Sequence, residues 1–218
     1  MDIFFICTRS ITFNTFLKSQ AKFLSNKGFN VKIACSDINN LSSQSDSNYE
    51  IDFPTKYIHL INILRYIKIF FQIHNLVKKN KSSIFYLHTP VASHLFRLFT
   101  LFYRLKIIYF VHGFRFTSQT GFLRSVFYKT IEKILSLKTN IFITINDEDY
   151  NYTKNNLFKK KPTYKINGVG LDLNKKDFKN KIKYKNKISN IIVIAGYKRI
   201  KGYDNLLKTA ELLKDKNL

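Results

Sequence analysis

Apolar and polar positions along the chain follow two alternating patterns. Short apolar runs, typical of strands buried on both faces, alternate with longer segments whose apolar residues recur at helical spacing. The predicted strands are residues 2–7, 30–35, 83–87, 106–111, 140–145 and 163–166. The predicted helices are residues 12–27, 59–79, 91–104 and 122–137, and one that begins near Asp147, while the polar residues 37–50 are predicted to be a loop. This order predicts a parallel sheet with helices on both faces, the doubly wound α/β class.

The pattern changes after residue 167. Residues 168–189 are rich in Lys and Asn and are predicted to be a solvated linker. Residues 190–195 form another apolar run, 196–202 a turn, and 203–215 a helix. Since one strand–helix unit cannot enclose a core, we expect a complete first domain over 1–167 and a truncated second α/β domain over 190–218.

Composition favours a folded domain in a reducing compartment. Hydrophobic residues make up 45% of the chain and aromatic residues 16%, which is enough for a packed core. Cys7 and Cys35 lie in apolar runs and are predicted to be free thiols. The N-terminus lacks the basic segment of a signal peptide, and no run reaches the roughly 18–20 apolar residues of a membrane span. We therefore expect a cytoplasmic location.

The chain is strongly basic, with 37 Lys and Arg against 14 Asp and Glu, for a net charge of +23. No acid occurs between Asp52 and Glu132. Such a field attracts polyanions, either nucleic acid or an anionic membrane surface. The predicted helix 59–79 carries only basic charges, so it is either a core helix with outward-reaching Lys and Arg stems or a surface that lies on anionic lipid. Glu132 is expected to pair with a neighbouring base in a structural role.

Candidate site residues directly follow the predicted strands, because ligands of such sheets bind at the carboxyl edge. These residues are Thr8, Arg9, Ser10, Asp37, His88, His112, Gly113 and Asn146. A glycine directly after His112 permits a positive φ or a close backbone approach. His88 is either a site residue or a cap of the next turn, and Asn146 with its acidic neighbours is predicted to cap a helix. His59, His74 and His94 lie in helical segments and are taken as structural.

Five motifs in register resemble one enzyme family. They are HTPVAS at 88–93, VHGF at 111–114, INDEDY at 145–150, GVGLDL at 168–173, and a glycine–basic–Lys–Gly turn from Gly196 to Gly202. Together they resemble bacterial family 4 glycosyltransferases, which have the GT-B fold of two facing Rossmann-like domains. The likeness is greatest to enzymes that build capsule, O-antigen or exopolysaccharide repeat units.

The resemblance implies transfer of a sugar, with retention of configuration, from a nucleotide sugar to a lipid-linked or growing saccharide at the inner face of the plasma membrane. It implies His112 as the catalytic residue beside the transferring sugar. Thr8, Arg9, Ser10, His88 and Gly113 would border the acceptor. Gly196, Arg199 and Lys201 would bind the donor diphosphate, with Lys198 as the alternative to Arg199. No metal or cofactor is expected, because Arg and Lys can stabilise the leaving group.

Two other functions remain open at this point. One is a non-catalytic remnant of such an enzyme, since the Glu-x7-Glu region of the family's donor domain is absent from the sequence. The other is a basic nucleic-acid-binding α/β protein, favoured by the charge of +23. The aromatic residues fall mainly in apolar runs rather than on an exposed platform, and no RNA or DNA motif is present, so nucleic acid is not the expected partner.

Overall fold

The computed structural model describes residues 1–42, 48–55, 63–116, 120–157, 161–170, 192–196 and 201–213. The chain divides into two compact units, Met1–Asp172 and Leu173–Leu218. Most of the predicted linker 168–189 lies outside the described residues, so the predicted domain boundaries remain predictions.

The first unit contains one parallel sheet. Its strands are β1 (Asp2–Ile6), β2 (Asn30–Cys35), β3 (Tyr49–Glu50), β4 (Ile84–Leu87), β5 (Lys106–Val111), β6 (Ile141–Thr144) and β7 (Thr163–Lys165). Their order across the sheet is β3-β2-β1-β4-β5-β6-β7, and every neighbouring pair is parallel. The predicted α/β class is confirmed. The prediction of loop over 37–50 was wrong at β3, which pairs with the end of β2 but is too short to show a strand period.

Helices connect the strands in the predicted alternation. They are α1 (Ser10–Thr12), α2 (Lys18–Asn26), α3 (Ile63–Lys79), α4 (Pro90–Phe99), α5 (Phe122–Leu135) and α6 (Asp147–Asn156), and a π-helical turn, Phe13–Leu17, joins α1 to α2. Among the residues described, no helix has both the length and the apolarity needed to cross a membrane.

Alternate residues of the strands enter two separate cores. Phe4 and Ile6 of β1 point to the side that holds the buried residues of α3 and α4. Ile3, Phe5 and Cys7 point to the other side, where the segment Ser10–Asn26 covers the sheet. Cys7 and Cys35 are buried and free, as predicted.

The strand order places a switch point between β1 and β4. The chain moves outward from β1 through β2 to β3, then returns to the other side of β1 and continues to β7. Ile6 pairs with Ala34 on one side and with Leu87 on the other. The residues that follow these strands therefore meet at one edge, where ligands of open α/β sheets bind.

Glu132 anchors α5 to the sheet through a buried ion pair. Its Oε2 accepts a hydrogen bond from Arg97 Nη2 at 2.9 Å, and its Oε1 lies 2.6 Å from His94 Nε2 and 3.3 Å from the Tyr109 hydroxyl. Burial by itself would raise the pKa of this carboxyl, but Arg97 and His94 outweigh it and lower the pKa to about 2. The predicted pairing of Glu132 with a base is confirmed.

The second unit is described over Ile192–Gly196 and from Lys201 through the helix α7 (Tyr203–Leu213). The predicted helix 203–215 is confirmed over its described part. The predicted strand 190–195 was wrong over Ile192–Ala195, which are exposed and pair with no strand among the described residues. A strand exists only by pairing with a neighbour, and the described residues of this unit contain no other strand.

Candidate functional site

The loop after β1 is fixed by hydrogen bonds at the carboxyl edge. The Thr8 carbonyl accepts hydrogen bonds from the Ser36 backbone N–H at 3.2 Å and from the Ser36 hydroxyl at 2.7 Å. The Ser10 backbone N–H donates to Asp37 Oδ1 at 2.6 Å, and Arg9 Nε donates to Asp37 Oδ2 at 3.3 Å. Thr8 and Ser10 are buried, so only Arg9 presents its side chain to solvent. These hydrogen bonds fix the loop against the segment that follows β2.

Thr89 connects this loop to β4. Its Oγ1 accepts a hydrogen bond from the Thr8 backbone N–H at 3.0 Å and lies 2.7 Å from the Thr8 hydroxyl. Thr89 has φ 62° and ψ 133°, and it is the one non-glycine residue with a positive φ in the described part of the chain. A β-branched residue rarely adopts such a conformation. Backbone strain that is held in place by tertiary contacts is typical of functional sites.

Substitutions at Thr89 separate the strain from the hydrogen bonds. Thr89→Ala removes both contacts to Thr8 but keeps a Cβ, so we expect a loss of about 1–2 kcal/mol in unfolding free energy. Thr89→Gly removes the same contacts and also relieves the strain, so it is expected to be about 1 kcal/mol more stable than Thr89→Ala. Urea unfolding of both variants measures the difference. Equal stability of the two would contradict strain at this residue.

Two histidines meet where β4 and β5 end. His88 Nδ1 lies 3.1 Å from His112 Nε2, so one ring donates a hydrogen bond to the other. His88 is fully buried and stacks on Phe5, with ring centroids 5.5 Å apart and an interplanar angle of 10°. Phe110 contacts both histidine rings. His88 Nε2 is buried and has no hydrogen-bond partner among the described residues.

Both histidines are neutral near pH 7. Burial lowers the pKa of His88 well below its usual value, and the neighbouring His112 lowers it further. Burial also lowers the pKa of His112 to about 4. Since His112 is only partly buried and its Nδ1 has no hydrogen bond within the described residues, this nitrogen is available to a ligand. In a neutral imidazole this nitrogen either donates one hydrogen bond to a hydroxyl group or accepts one from it.

This neutrality can be measured by NMR. We expect the ring resonances of His88 and His112 to stay unchanged between pH 8 and roughly pH 5, because the usual histidine pKa of about 6.5 is lowered in both. Unfolding free energy should fall as the pH drops below about 6.5, since the unfolded chain then binds protons that the folded chain does not. A His112 resonance that titrates near pH 6.5 would contradict the buried pair.

Gly113 and Asn146 shape the remainder of this edge. Gly113 has φ 124°, a conformation that strains any other residue, and nothing lies within 4 Å of the position a Cβ would occupy. Asn146 Oδ1 accepts a hydrogen bond from the Asp149 backbone N–H at 2.8 Å, so the predicted helix cap is confirmed. The Phe114 backbone N–H then donates to Asp149 Oδ1 at 3.4 Å, which ties the loop after His112 to α6.

The structure describes only some of the predicted donor-binding residues. Gly196 and Lys201 are exposed in the second unit, whereas Lys198 and Arg199 lie outside the described residues. Within the described ranges, no group of three or more His, Cys, Asp or Glu side chains is placed to hold a metal ion. Asp37 was predicted to lie at the carboxyl edge, and it supports the loop after β1 there. Thr89 and Ser36 also support this edge but were not predicted. The strand-end position of Thr89 was the signal that could have identified it.

Two curated relatives are glycosyltransferases by name. A protein of Bacillus subtilis (strain 168) assigned as the glycosyltransferase EpsD is 34% identical over 104 residues, which cover 46% of this chain and 27% of that protein. The UDP-Gal:alpha-D-GlcNAc-diphosphoundecaprenol alpha-1,3-galactosyltransferase of Escherichia coli is 24% identical over 201 residues, which cover 88% of this chain and 51% of that enzyme. The chain therefore spans at most about half the length of either relative.

Solved glycosyltransferases share the fold. Sucrose-phosphate synthase from Thermosynechococcus elongatus superposes with a TM-score of 0.54 at 13% identity, over 76% of this chain and 47% of that one. MurG of Acinetobacter baumannii superposes with a TM-score of 0.50 at 13% identity, over 78% of this chain and 46% of that one. At such identities the likeness establishes the fold alone, that of a Rossmann-like domain of GT-B proteins. The family profile described as Glycosyl transferase 4-like matches residues 5–146, which is more than half of the chain. The match runs from the end of β1 through β6 and includes His88 and His112. The chain belongs to the glycosyl transferase 4-like family.

Proposed function

We propose that this chain forms the acceptor-side domain of a glycosyltransferase that moves a sugar from a nucleotide sugar to a lipid-linked or growing saccharide in bacterial surface polysaccharide biosynthesis. The observation that carries the proposal is the His88–His112 pair at the switch-point edge, within the region matched by the family. The name of the Escherichia coli relative supports the substrate classes, because it specifies UDP-Gal as donor and a saccharide on diphosphoundecaprenol as acceptor.

His112 is the catalytic residue in this proposal. During transfer, the bond between the anomeric carbon and the donor phosphate oxygen breaks, and a bond from that carbon to an acceptor hydroxyl oxygen forms. The hydroxyl proton goes to the departing nucleoside diphosphate. The neutral imidazole of His112 contacts the transferring sugar through Nδ1, and the hydrogen bond to His88 holds the ring in place. A hydrogen-bonding group that is already in position before the reaction stabilises the transition state, because it does not have to reorganise during the reaction.

The remaining predicted residues take supporting roles. Arg9 is the exposed member of the β1–α1 loop and borders the acceptor together with Gly113, while buried Thr8 and Ser10 fix the loop. His88 has no exposed surface and acts through His112 as a positioning residue. Gly196, Lys201 and either Arg199 or Lys198 bind the donor diphosphate, whose charge grows as it leaves. We propose that these cationic groups, rather than a metal ion, stabilise the leaving group.

The proposed location of the protein is the inner face of the plasma membrane, to which it binds peripherally. A lipid-linked acceptor keeps its saccharide at the membrane surface. A net charge of +23 attracts the protein to anionic lipid there. Nucleic acid is not a proposed partner.

The test is a transfer assay on a polyprenyl-diphosphate-linked saccharide with a panel of nucleotide sugars. Because the chain spans about half of the Escherichia coli relative, the assay uses the 218-residue chain and, in parallel, the polypeptide extended by any sequence encoded after Leu218. We expect the lipid-linked product to gain the mass of one glycosyl residue, with or without EDTA. No product from either polypeptide would overturn the proposal, and loss of product in EDTA would overturn its metal-free part.

A further inference from the structure

The first half of α5 carries an apolar surface that the described residues leave uncovered. Phe122 is 80% exposed and Leu123 is 82% exposed, and Val126 and Phe127 are also exposed. We call these four residues the α5 patch. Only Glu132 and Leu135 of α5 are buried. Contiguous exposed apolar side chains of this size mark interaction sites.

The charged side chains of α5 that reach solvent have one sign. Arg124, Lys129 and Lys133 are exposed on the same helix. The one acid of α5, Glu132, is buried in its ion pair with Arg97 and contributes no negative charge to the surface. The partner of the α5 patch should therefore combine apolar and anionic chemistry.

A polar recess adjoins the α5 patch. It has a volume of about 440 Å³ and is lined by Arg115, Thr120, Gly121, Arg124 and Tyr128. The Arg115 guanidinium lies 5.9 Å from the Tyr128 ring centroid. Arginine binds phosphate oxygens through paired N–H groups. A recess with two arginines beside exposed Phe122 and Leu123 matches the head and tail of a phospholipid.

The helix α3 is a weaker candidate than α5 for binding an anionic lipid surface, although its basic and apolar sequence also suggests such binding. It also exposes apolar side chains, among them Leu64 and Phe71. However, Arg65 and Lys68 both form ion pairs with Asp52, at 2.7 Å and 3.5 Å. Part of the basic charge of α3 is therefore neutralised within the protein. Within the described part of the chain, Arg124, Lys129 and Lys133 of α5 form no ion pair with an acid.

We infer that the α5 patch docks on an anionic phospholipid bilayer, with lipid phosphates bound between Arg115 and Arg124. Phe122 and Leu123 enter the boundary between head groups and acyl chains, as the apolar residues of interfacial helices do. The inference deepens the proposed function and rests on it for the nature of the acceptor. The strand β5 ends at the carboxyl edge and β6 begins at the opposite edge, so α5 starts at the edge that holds His112. Docking by the start of α5 brings this edge towards lipid-linked acceptors.

Tryptophan fluorescence tests insertion directly, because the chain contains no Trp. Leu123→Trp places a single indole in the α5 patch. Its emission should shift to shorter wavelength when phosphatidylcholine vesicles containing phosphatidylglycerol are added, and should not shift with phosphatidylcholine alone. Phe23→Trp is the matched control, because Phe23 is 61% exposed on α2 beside basic residues. An equal shift of both probes, or no shift of Leu123→Trp, would overturn the inference.

Vesicle co-sedimentation separates insertion from general electrostatic attraction. Phe122→Ser with Leu123→Ser keeps every charge and is expected to weaken binding to the phosphatidylglycerol vesicles by at least about tenfold. Arg124→Glu should weaken binding by about tenfold or more, and Phe23→Ser by less than about twofold. Unchanged binding of the first two variants would contradict docking through α5. Neither experiment uses sugar transfer, so a failure of docking is distinguishable from a failure of the proposed activity.

Discussion

Replacing His112 by alanine should lower the turnover of the complete enzyme by about two to three orders of magnitude, the usual cost of removing one preorganised hydrogen-bonding group from a transition state. His112 directly follows β5 at the carboxyl edge of the sheet, and burial lowers its pKa to about 4. A 3.1 Å hydrogen bond with His88 holds its ring. A group that is neutral and fixed in advance contributes more to the transition state than to the bound substrate. Turnover measured at saturating donor and acceptor therefore reports the loss.

Two further variants make the His112 result specific. His74→Ala alters a histidine on α3 whose ring meets the Tyr103 hydroxyl, away from the carboxyl edge, and should leave turnover unchanged. His88→Phe preserves an aromatic ring among Phe5, Tyr86 and Phe110 but removes the hydrogen bond to His112. It should lower turnover less than His112→Ala, because His88 acts only through the orientation of His112. Near-normal turnover of His112→Ala would remove His112 from the mechanism.

The sequence was sufficient to predict that His88 and His112 lie at the same edge of the sheet. Apolar runs bounded by polar residues located β1, β4 and β5, and the carboxyl ends of parallel strands must share an edge. The meeting of His88 and His112, residues 24 positions apart, follows from that rule and is seen at 3.1 Å. The prediction required no side-chain detail, because the backbone topology alone determines where each strand ends.

The sequence was not sufficient to predict how this edge is held. A threonine before proline suggests extended backbone, yet Thr89 has φ 62°. Its hydroxyl contacts Thr8, which follows a strand that is remote in sequence but adjacent in the sheet. Asp37 likewise fixes Ser10 and Arg9 through contacts that no local pattern encodes. Such contacts depend on tertiary packing, which the periodicity of one segment does not report.

The α5 helix shows a second limit of periodicity. Its apolar residues predict a helix, and the helix is present. The same pattern is compatible with a covered or an uncovered face, since Phe122 and Leu123 are as apolar as residues of the core. Only the neighbouring elements decide which face is covered, and here they leave the start of α5 in solvent. For the same reason, the apolar run at Ile192–Ala195 was insufficient evidence for a strand.

Glu132→Ala should destabilise the first unit by about 3–5 kcal/mol, because it leaves the Arg97 guanidinium buried without its carboxylate. That is a large share of the roughly 5–15 kcal/mol that stabilises a typical domain. Chemical unfolding at neutral pH measures the loss. Asp147→Ala is the control, since it breaks an exposed ion pair with Lys165 and should cost less than about 1 kcal/mol. Arg97→Met combined with Glu132→Leu removes both charges together and should recover much of the stability lost by Glu132→Ala.

The acid sensitivity of the fold provides an independent test of the same ion pair. Arg97 and His94 hold the pKa of Glu132 at about 2, against a reference value of 4.5. Because the folded-state pKa is depressed, the stabilisation is complete above about pH 4.5 and is lost as the pH falls towards 2. Unfolding free energy should therefore decline less steeply over this window in the Arg97→Met, Glu132→Leu double variant than in the parent chain. Equal slopes would mean that Glu132 is not held as a carboxylate in the core, and the large loss expected for Glu132→Ala would then have to arise from a cavity alone.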